Sequence, residues 1–477
     1  MSDGTDVVLV NLPYACCVGR VQAPDSYLRM LRVSHLGSSS YRSFAGEPVA
    51  LQHVAGELRA AGFITELIDG FLLELSLPEV VSRVRSMTPQ VVGITLCSGG
   101  EPELDSLLMA LEGEMRPPYV VIGGPGARYY RPPPVTALLV KILPGDLQRD
   151  ELLRLVSEAT GKARHLPMAG FPRRARDYAK LALEKGLSLS VSASRGCGWS
   201  GCSFCFETVE ARARGQRRVA RPAQQVIGEV ESLVERFGIS HLTFTDTDFL
   251  GGGRLGVERA LQIARGIHAA GICSWMIDIR PDEVNPDLLE ELVGLGLRSV
   301  FVGIETVDES TYRYYEKPLP RRGLKKTFAV LEALGIHAIP GFILFDPRKS
   351  FEATIRDERW LREAKHFDLS RRLTRLASRE RVPGAGYDPR LQALYDGMGM
   401  IFNQCYAWTS RILGDSSLKK RLMPSLAQRI RDTFENATDN LIRVVQHLQD
   451  PGDVEARRSA FRTKVVSLIE AEFHHAA

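Results

Sequence analysis

The sequence predicts an α/β protein with an N-terminal doubly wound (Rossmann-like) sheet, a central partial (β/α) TIM-like barrel and a helical C-terminal region. Short apolar runs alternate with amphipathic helical segments through the first part of the chain. In the middle, glycine ends one helix after another and a β-rich run begins at once. The last part holds long segments of helical periodicity. Strand–helix alternation at this spacing is typical of parallel sheets.

Four apolar runs in the N-terminal segment predict parallel strands of a doubly wound sheet. They are Val7–Val10, Phe63–Ile68, Val91–Thr95 and Tyr119–Ile122. Ligands of such sheets bind at the carboxyl ends of the strands. The candidate rim is therefore Asn11, Asp69, residues 98–100 and residues 123–126.

Four junctions in which a glycine closes a helix and a strand follows predict the barrel. The glycines are Gly238, Gly271, Gly296 and Gly335, and the predicted strands are 187–192, 241–245, 274–277, 299–302 and 339–345. We expect a Rossmann-like domain over 1–150, a linker with helices over 151–186, the barrel over 187–380 and the helical region over 381–477.

Composition narrows the class of protein. The net charge of +4 is spread over many acids and bases, so nothing indicates nucleic-acid binding. No apolar run approaches the length of a membrane span. Eight cysteines in 477 residues is not disulfide density, and the polar start lacks a basic signal-peptide region. We expect a cytoplasmic protein without nucleic-acid or membrane partners.

Three cysteines, Cys197, Cys202 and Cys205, lie within one short loop rich in glycine and serine. Glycine permits the turns that ligation of one inorganic centre requires. Three thiolates leave one iron of an iron–sulfur cluster open for chemistry. A zinc loop with a fourth ligand elsewhere is the alternative. We expect Cys405 to be a packed apolar residue, with a distant ligand role as its alternative.

Charged residues follow the predicted barrel strands at their carboxyl ends, where the active sites of such barrels lie. They are Asp246, Asp248, Asp278, Arg280, Glu305 and Asp346. Their gathering beside the cysteine loop predicts a catalytic site. Taken singly, each aspartate also has the simpler interpretation of a helix cap.

The middle of the chain resembles the radical S-adenosylmethionine (radical SAM) superfamily. The family motif is Cys-x3-Cys-x2-Cys, whereas here four residues separate the first two cysteines. We expect the extra residue to bulge outward without moving the sulfurs. The aromatic residue before the third cysteine, the run "Val-Gly-Ile-Glu-Thr" and the run "Pro-Gly-Phe-Ile-Leu" also match. The resemblance implies that the cofactor-binding residues are Phe204, Asp278, Arg280, Glu305 and Gly341.

The resemblance implies a chemistry. Cys197, Cys202 and Cys205 would hold a 4Fe–4S cluster whose open iron binds SAM. Reductive cleavage of SAM would give a 5′-deoxyadenosyl radical that removes hydrogen from a small-molecule substrate. The electron would come from an external flavodoxin- or ferredoxin-like donor, with a partner reductase as a further candidate. The protein would position the reactants and exclude water.

The N-terminal segment resembles the cobalamin-binding domain that precedes many radical SAM barrels. The match rests on "Asn-Leu-Pro", the unit ending at Asp69, "Val-Val-Gly-Ile-Thr" and "Gly-Gly-Pro". The turn continues with glycine where many relatives carry histidine, and no Asp-x-His-x-x-Gly stretch offers a lower cobalt ligand. A cofactor-free scaffold and a cobalamin-binding domain both remain open.

The carboxylates at the barrel mouth favour a hydroxylated, cationic substrate such as an aminosugar. We expect radical 1,2-diol dehydration, as in the radical SAM diol dehydratases of aminoglycoside antibiotic biosynthesis that the chain resembles. The candidate catalytic residues are Asp246, Asp248, Lys317 and Asp346. The alternatives are a cobalamin-dependent radical SAM C-methyltransferase and a non-enzymatic metal-binding scaffold.

Overall fold

A computed structural model describes residues 4–13, 47–96, 100–124, 126–143, 149–162, 174–317, 323–346, 348–363, 388–414, 416–446, 463 and 467. Predicted rim residues 98–99 and 125, and most of the predicted helical region after residue 446, lie outside them. The chain divides into two compact units. Among the described residues, the first unit runs to Phe301 and adds Phe328–Ala338; the second contains Val302–Lys317, 323–327 and the chain from Ile339.

The N-terminal sheet has the predicted parallel, doubly wound form. Its strands are β1 (Val7–Asn11), β2 (Thr65–Asp69), β3 (Val91–Thr95), β4 (Tyr119–Gly123) and β5 (Val140–Ile142), in the order β2-β1-β3-β4-β5. All four pairings are parallel. The first four strands confirm the prediction, and β5 is a further strand that was not predicted. The order reverses between β1 and β3, where such sheets bind ligands.

Helices cover both faces of this sheet. They are α1 (Val49–Ala60), α2 (Leu77–Met87), α3 (Glu101–Glu112) and α4 (Arg149–Thr160). α1 and α4 pack on one face against Val7, Leu9 and neighbouring apolar residues. α2 and α3 pack on the other face against Val8, Val10 and theirs. Because successive strand residues point to opposite faces, the continuous apolar run of β1 supplies both cores.

The central sheet is a run of βα units. Its strands are β6 (Leu189–Val191), β9 (His241–Phe244), β10 (Ser274–Ile279), β11 (Leu297–Glu305) and β12 (His337–Phe342), in the order β12-β11-β10-β9-β6. A short antiparallel hairpin, β7 (Ser194–Gly196) with β8 (Arg218–Ala220), follows β6 and was not predicted. Apart from this hairpin, strands that are adjacent in the central sheet are also successive in the chain. This arrangement is consistent with a partial barrel and confirms the α/β class.

The helices of this region follow the predicted junctions. They are α5 (Ala179–Glu184), α6 (Phe206–Arg214), α7 (Ala223–Phe237), α8 (Gly253–Ala269), α9 (Pro286–Gly294), α10 (Glu309–Tyr314), α11 (Gly323–Ala333) and α12 (Phe351–Glu363). The four junction glycines all have positive φ, between 62° and 102°. This conformation suits glycine and confirms their role as helix stops. Asn285 caps α9 by accepting a hydrogen bond from Leu288 N at 3.1 Å.

Helices also lie in the predicted linker and in the predicted C-terminal region. The linker predicted over 151–186 contains most of α4 and all of α5. Ahead of α5, Arg174 and Arg176 donate hydrogen bonds to the buried Glu47 carboxylate. The C-terminal region contains α13 (Pro389–Gly414) and α14 (Ser416–Gln446), as its periodicity indicated. Among the described residues, no helix is long and apolar enough to cross a membrane.

Candidate active site

The cysteine loop joins β7 to α6 and is held by its own backbone. Cys205 is the N-cap residue of α6, in an extended conformation. The carbonyl of Cys202 accepts hydrogen bonds from Cys205 N at 3.2 Å and from Thr208 Oγ1 at 2.8 Å. Cys197, Cys202 and Cys205 form no disulfide bond among the described residues. The loop therefore presents three thiols from a turn that the start of α6 keeps in place.

The extra residue between the first two cysteines is absorbed by a tight turn. Ser200 has φ +46°, and its hydroxyl donates to the carbonyls of Cys197 and Arg217. The Trp199 ring lies over Gly201, where an added Cβ would be 2.8 Å from Trp199 Nε1. Only glycine leaves room for that ring.

Asp246 anchors the beginning of the loop. Its carboxylate accepts a hydrogen bond from Ala193 N at 2.8 Å and another from the Ser194 hydroxyl. The side chain is buried, and this burial raises the pKa of Asp246 to about 6. Arg259 supports the same segment by donating to the carbonyl of Ala193 and, at 2.8 Å, to that of Arg221. Both Asp246 oxygens are thus bonded to the segment that leads to the cysteines.

Asp248 and Arg280 lie directly beside Cys197. Asp248 Oδ2 is 2.6 Å from Arg280 Nη1, 2.8 Å from Gly198 N and 3.4 Å from Cys197 Sγ. Burial raises the pKa of Asp248, but Arg280 and the backbone N–H donors outweigh it and hold that pKa below its usual range. Arg280 Nη1 is also 3.9 Å from Cys197 Sγ. Burial, followed by the Asp248 charge, raises the pKa of the Cys197 thiol, the opposite of what a bound metal would do.

Two other predicted residues, Phe204 and Asp278, also belong to the first unit. The Asp278 carbonyl accepts a hydrogen bond from Phe249 N at 3.1 Å, which ties β10 to the loop after β9. Phe204 is half-buried between the second and third cysteines. The structure therefore brings Asp248 and Arg280 to the cysteine loop and leaves Asp246 at its root.

In the second unit, Glu305 and Lys317 form a half-buried ion pair of 2.8 Å. Glu305 has φ +70°, a strained conformation for a residue with a side chain. Both side chains lie over Gly303, where an added Cβ would be 2.7 Å from Glu305 Oε1 and 2.8 Å from Lys317 Nζ. Predicted residues Glu305 and Lys317 are therefore partners of each other.

Asp346 is fully buried and fully engaged. Arg348 donates to its two oxygens through Nε and Nη2, each at 2.9 Å, and the Tyr315 hydroxyl donates at 2.9 Å. Burial raises the pKa of Asp346 above its usual range. Gly341 is a buried residue of β12. Cys405 is buried on α13, and burial raises its pKa to about 12, as expected for a packed thiol.

At the carboxyl edge of the N-terminal sheet, Asn11 and Asp69 form a buried pair. Asn11 Nδ2 donates to Asp69 Oδ1 at 2.8 Å, and Leu72 N donates to the same oxygen at 3.1 Å. Asp69 Oδ2 is buried and has no hydrogen-bond partner among the described residues. Burial raises the pKa of Asp69 to about 6. This edge therefore holds a polar atom ready for an additional donor.

An ion pair that the sequence did not indicate joins this edge to the cysteine loop. Arg128, on a short 3₁₀ turn after β4, lies 2.9 Å from Glu210 of α6. The Glu210 side chain is only 3% exposed. Because the two residues are 82 positions apart, no local pattern could have revealed the pair. It fixes α6, which begins just after the third cysteine, against the N-terminal sheet.

The three thiols fit the predicted cluster by chemistry. Among the described residues, no group of three or more His, Cys, Asp or Glu side chains is arranged to hold a metal ion. A four-iron cluster places its thiolates on separate irons, so its cysteines need not converge on one point. Three cysteine thiols on one loop, with a guanidinium beside the first, are a suitable donor set for such a cluster.

A family model and a curated relative match the part of the chain that carries this site. The model of the radical SAM superfamily matches residues 191–357. An uncharacterized methyltransferase of Pyrococcus horikoshii is 24% identical over 343 residues, which cover 65% of this chain and 72% of the relative.

Two solved structures share the fold. The cobalamin-dependent S-adenosylmethionine radical enzyme OxsB, with aqua-cobalamin and S-adenosylmethionine bound, matches with a TM-score of 0.58 at 14% identity, covering 99% of this chain and 81% of that one. The radical S-adenosylmethionine methyltransferase TsrM of Kitasatospora setae, with cobalamin and a [4Fe–4S] cluster bound, matches with a TM-score of 0.52 at 16% identity, covering 76% and 71%. The chain thus contains a radical SAM domain, which spans residues 191–357 and carries the three-cysteine loop.

Proposed function

We propose that this radical SAM enzyme is a cobalamin-dependent methyltransferase acting on a small molecule. The observation that carries the proposal is the doubly wound sheet ahead of the radical SAM domain, with its buried, unpartnered Asp69 oxygen at the ligand-binding edge. The fold match to OxsB over 99% of the chain and the sequence match to an uncharacterized methyltransferase support it.

The residues suited to the cofactors follow from the donor groups. Cys197, Cys202 and Cys205 would hold the 4Fe–4S cluster, and the edge around Asn11 and Asp69 would receive the corrinoid, whose amide groups can donate to Asp69 Oδ2. When bound, these groups and SAM supply one-electron chemistry and a transferable methyl group.

The chain's own residues would give this chemistry its geometry. Asp246 and Arg259 fix the root of the loop, and Asp248 holds both Gly198 N and the Arg280 guanidinium beside Cys197. These bonds leave the loop little freedom, as precise placement of a reactive group requires. We infer that Arg280 contributes the positive charge nearest the first thiol.

Diol dehydration becomes the second candidate because the carboxylates that favoured it are already engaged. Asp246 bonds to the loop backbone, Asp248 to Arg280, and Asp346 to Arg348 and Tyr315. The expectation of a cationic aminosugar depended on these acids facing the substrate. With that reason removed, the N-terminal sheet and the methyltransferase relative carry more weight.

The products formed from SAM test the proposal. We expect enzyme reconstituted with iron, sulfide and hydroxocobalamin to convert methyl-d3-SAM to S-adenosylhomocysteine under reducing conditions. The Cys197→Ser variant should lose reductive cleavage of SAM, whereas Cys273→Ser, at an exposed cysteine outside the loop, should keep it. Formation of 5′-deoxyadenosine without S-adenosylhomocysteine, whether or not cobalamin is present, would contradict methyl transfer and favour dehydration.

The compartment and the electron source belong to the same proposal. None of the five described cysteines forms a disulfide bond, which supports the expected reducing, cytoplasmic location. Radical SAM chemistry also requires an external electron donor, for which we propose a flavodoxin- or ferredoxin-like protein.

A further inference from the structure

The surface around the cysteine loop carries arginines that form no ion pair within the described part of the chain. Residues 191–222 contain six arginines and only two acids, Glu207 and Glu210. Glu207 pairs with Arg214 at 3.2 Å, and Glu210 with Arg128 at 2.9 Å. Both acids of the segment are therefore already partnered, and the charge that reaches solvent there is positive.

Three of the arginines reach solvent from this segment. Arg195, Arg212 and Arg217 are exposed, and none of them forms an ion pair with a residue in the described part of the chain. In the hairpin, Arg195 is paired with Val219. Arg217 immediately precedes the second strand of this hairpin. Arg212 lies in the last turn of α6, close before the hairpin's second strand.

An aromatic residue accompanies these charges at the first cysteine. Trp199, two residues after Cys197, is 37% exposed. The backbone of Arg217 lies against the loop, since its carbonyl accepts from Ser200 Oγ at 3.3 Å. A Cβ added to Gly196 would be 2.2 Å from the same carbonyl. A molecule that touches Arg217 and Trp199 is therefore next to the loop that would hold the cluster.

We propose that Arg195, Trp199, Arg212 and Arg217 form a docking surface for a small acidic electron-transfer protein. A patch of arginines with one exposed tryptophan has the composition of protein interfaces, and uniform charge steers a partner of opposite sign. Redox encounters use small interfaces, which suits a patch of this size. One electron leaves the reduced flavin or iron–sulfur centre of the partner and reduces the cluster; no bond forms or breaks. The inference rests on the radical SAM chemistry of the proposed function, not on methyl transfer.

The test compares the double charge reversal R212E/R217E with R116E, a reversal at an exposed arginine outside this segment. Reduced flavodoxin is the protein donor, and the neutral 5-deazaflavin radical is the small donor. The first readout is binding to immobilised flavodoxin at 50 and 300 mM salt, which needs no loaded cluster. The second is the rate of cluster reduction, followed by the loss of visible absorbance.

We expect R212E/R217E to weaken flavodoxin binding and slow reduction by flavodoxin about tenfold or more at low salt, with a smaller loss at high salt. Reduction by deazaflavin and the behaviour of R116E should be unchanged. Equal slowing with both donors would assign the arginines to loop structure and overturn the proposal. Unchanged flavodoxin binding by R212E/R217E would also overturn the proposal. If that variant instead lost binding to transfer RNA, the surface would be assigned to RNA. If methyl transfer fails but the donor contrast appears, only the proposed reaction is lost.

Discussion

Removing the Arg128–Glu210 ion pair should loosen the connection between the N-terminal sheet and the helix that follows the third cysteine. The atoms are 2.9 Å apart, and the side chains are 29% and 3% exposed. Breaking a fully buried pair typically costs about 3–5 kcal/mol, and the partial exposure of Arg128 reduces this value. We expect Arg128→Ala to lower the free energy of unfolding by about 2 kcal/mol, because Glu210 would keep a buried charge without this partner.

A double-mutant cycle isolates the pair. Urea unfolding of R128A, E210A and the double variant should give a coupling energy of about 1–2 kcal/mol. The control is the Arg154–Glu158 pair, which has a similar distance of 2.8 Å but side chains that are both 58% exposed. Its coupling should be only about 0.3–0.5 kcal/mol. Equal coupling in the two cycles would refute the reasoning that burial makes the first pair strong.

Three further predictions concern single residues. Burial raises the pKa of Asp69 in the folded protein from 3.8 to about 6, so its charge destabilises the protein above pH 6 and protonation relieves this as the pH falls toward 4. Asp69→Asn should therefore remove about 1–1.5 kcal/mol of the stability that the protein gains when the pH is lowered from 7.5 to 5. Urea unfolding at both pH values measures this, and an unchanged pH dependence would contradict it. Gly196→Ala, with φ +88° and a Cβ 2.2 Å from the Arg217 carbonyl, should cost at least about 2 kcal/mol; Gly215→Ala, with φ +69° and nothing within 4 Å, should cost about 1 kcal/mol, and equal losses on thermal unfolding would show that the carbonyl contact is unimportant. Lys349→Ala should lower the free energy of unfolding by about 3–5 kcal/mol in the same assay, because the fully buried carboxylate of Asp357 would lose its ion-pair partner. A loss below about 1 kcal/mol would contradict this.

The fold could be predicted where one residue type has one structural use. The glycines at 238, 271, 296 and 335 mark helix ends because a left-handed conformation suits glycine, and the structure gives all four positive φ. The apolar runs of β1 and β3 predict buried parallel strands, because a strand covered on both faces needs apolar residues at successive positions. The hairpin β7–β8 could not be predicted, since its three-residue strands consist largely of arginine, serine, glycine and alanine.

The roles of the acids could be predicted less well than their positions. Asp246 and Asp248 do follow a barrel strand, as expected. Whether a carboxylate at that position faces a substrate or its own backbone depends on contacts distant in sequence. Asp246 bonds residues 53 and 52 positions away, and Asp248 bonds Arg280, 32 positions away. No period or local motif encodes such separations, so the sequence placed these acids after a strand and left their bonding undetermined.

Retention of a corrinoid by the reconstituted protein tests the central proposal most directly. The protein is loaded anaerobically with iron, sulfide and hydroxocobalamin, passed through a desalting column, and measured by optical spectrum and metal count. We expect about four irons and one cobalt per chain, with cobalt retention weakened in Asp69→Ala, which removes the proposed acceptor at the sheet edge. A full complement of iron without cobalt would make the N-terminal sheet a scaffold and would contradict cobalamin-dependent methyl transfer.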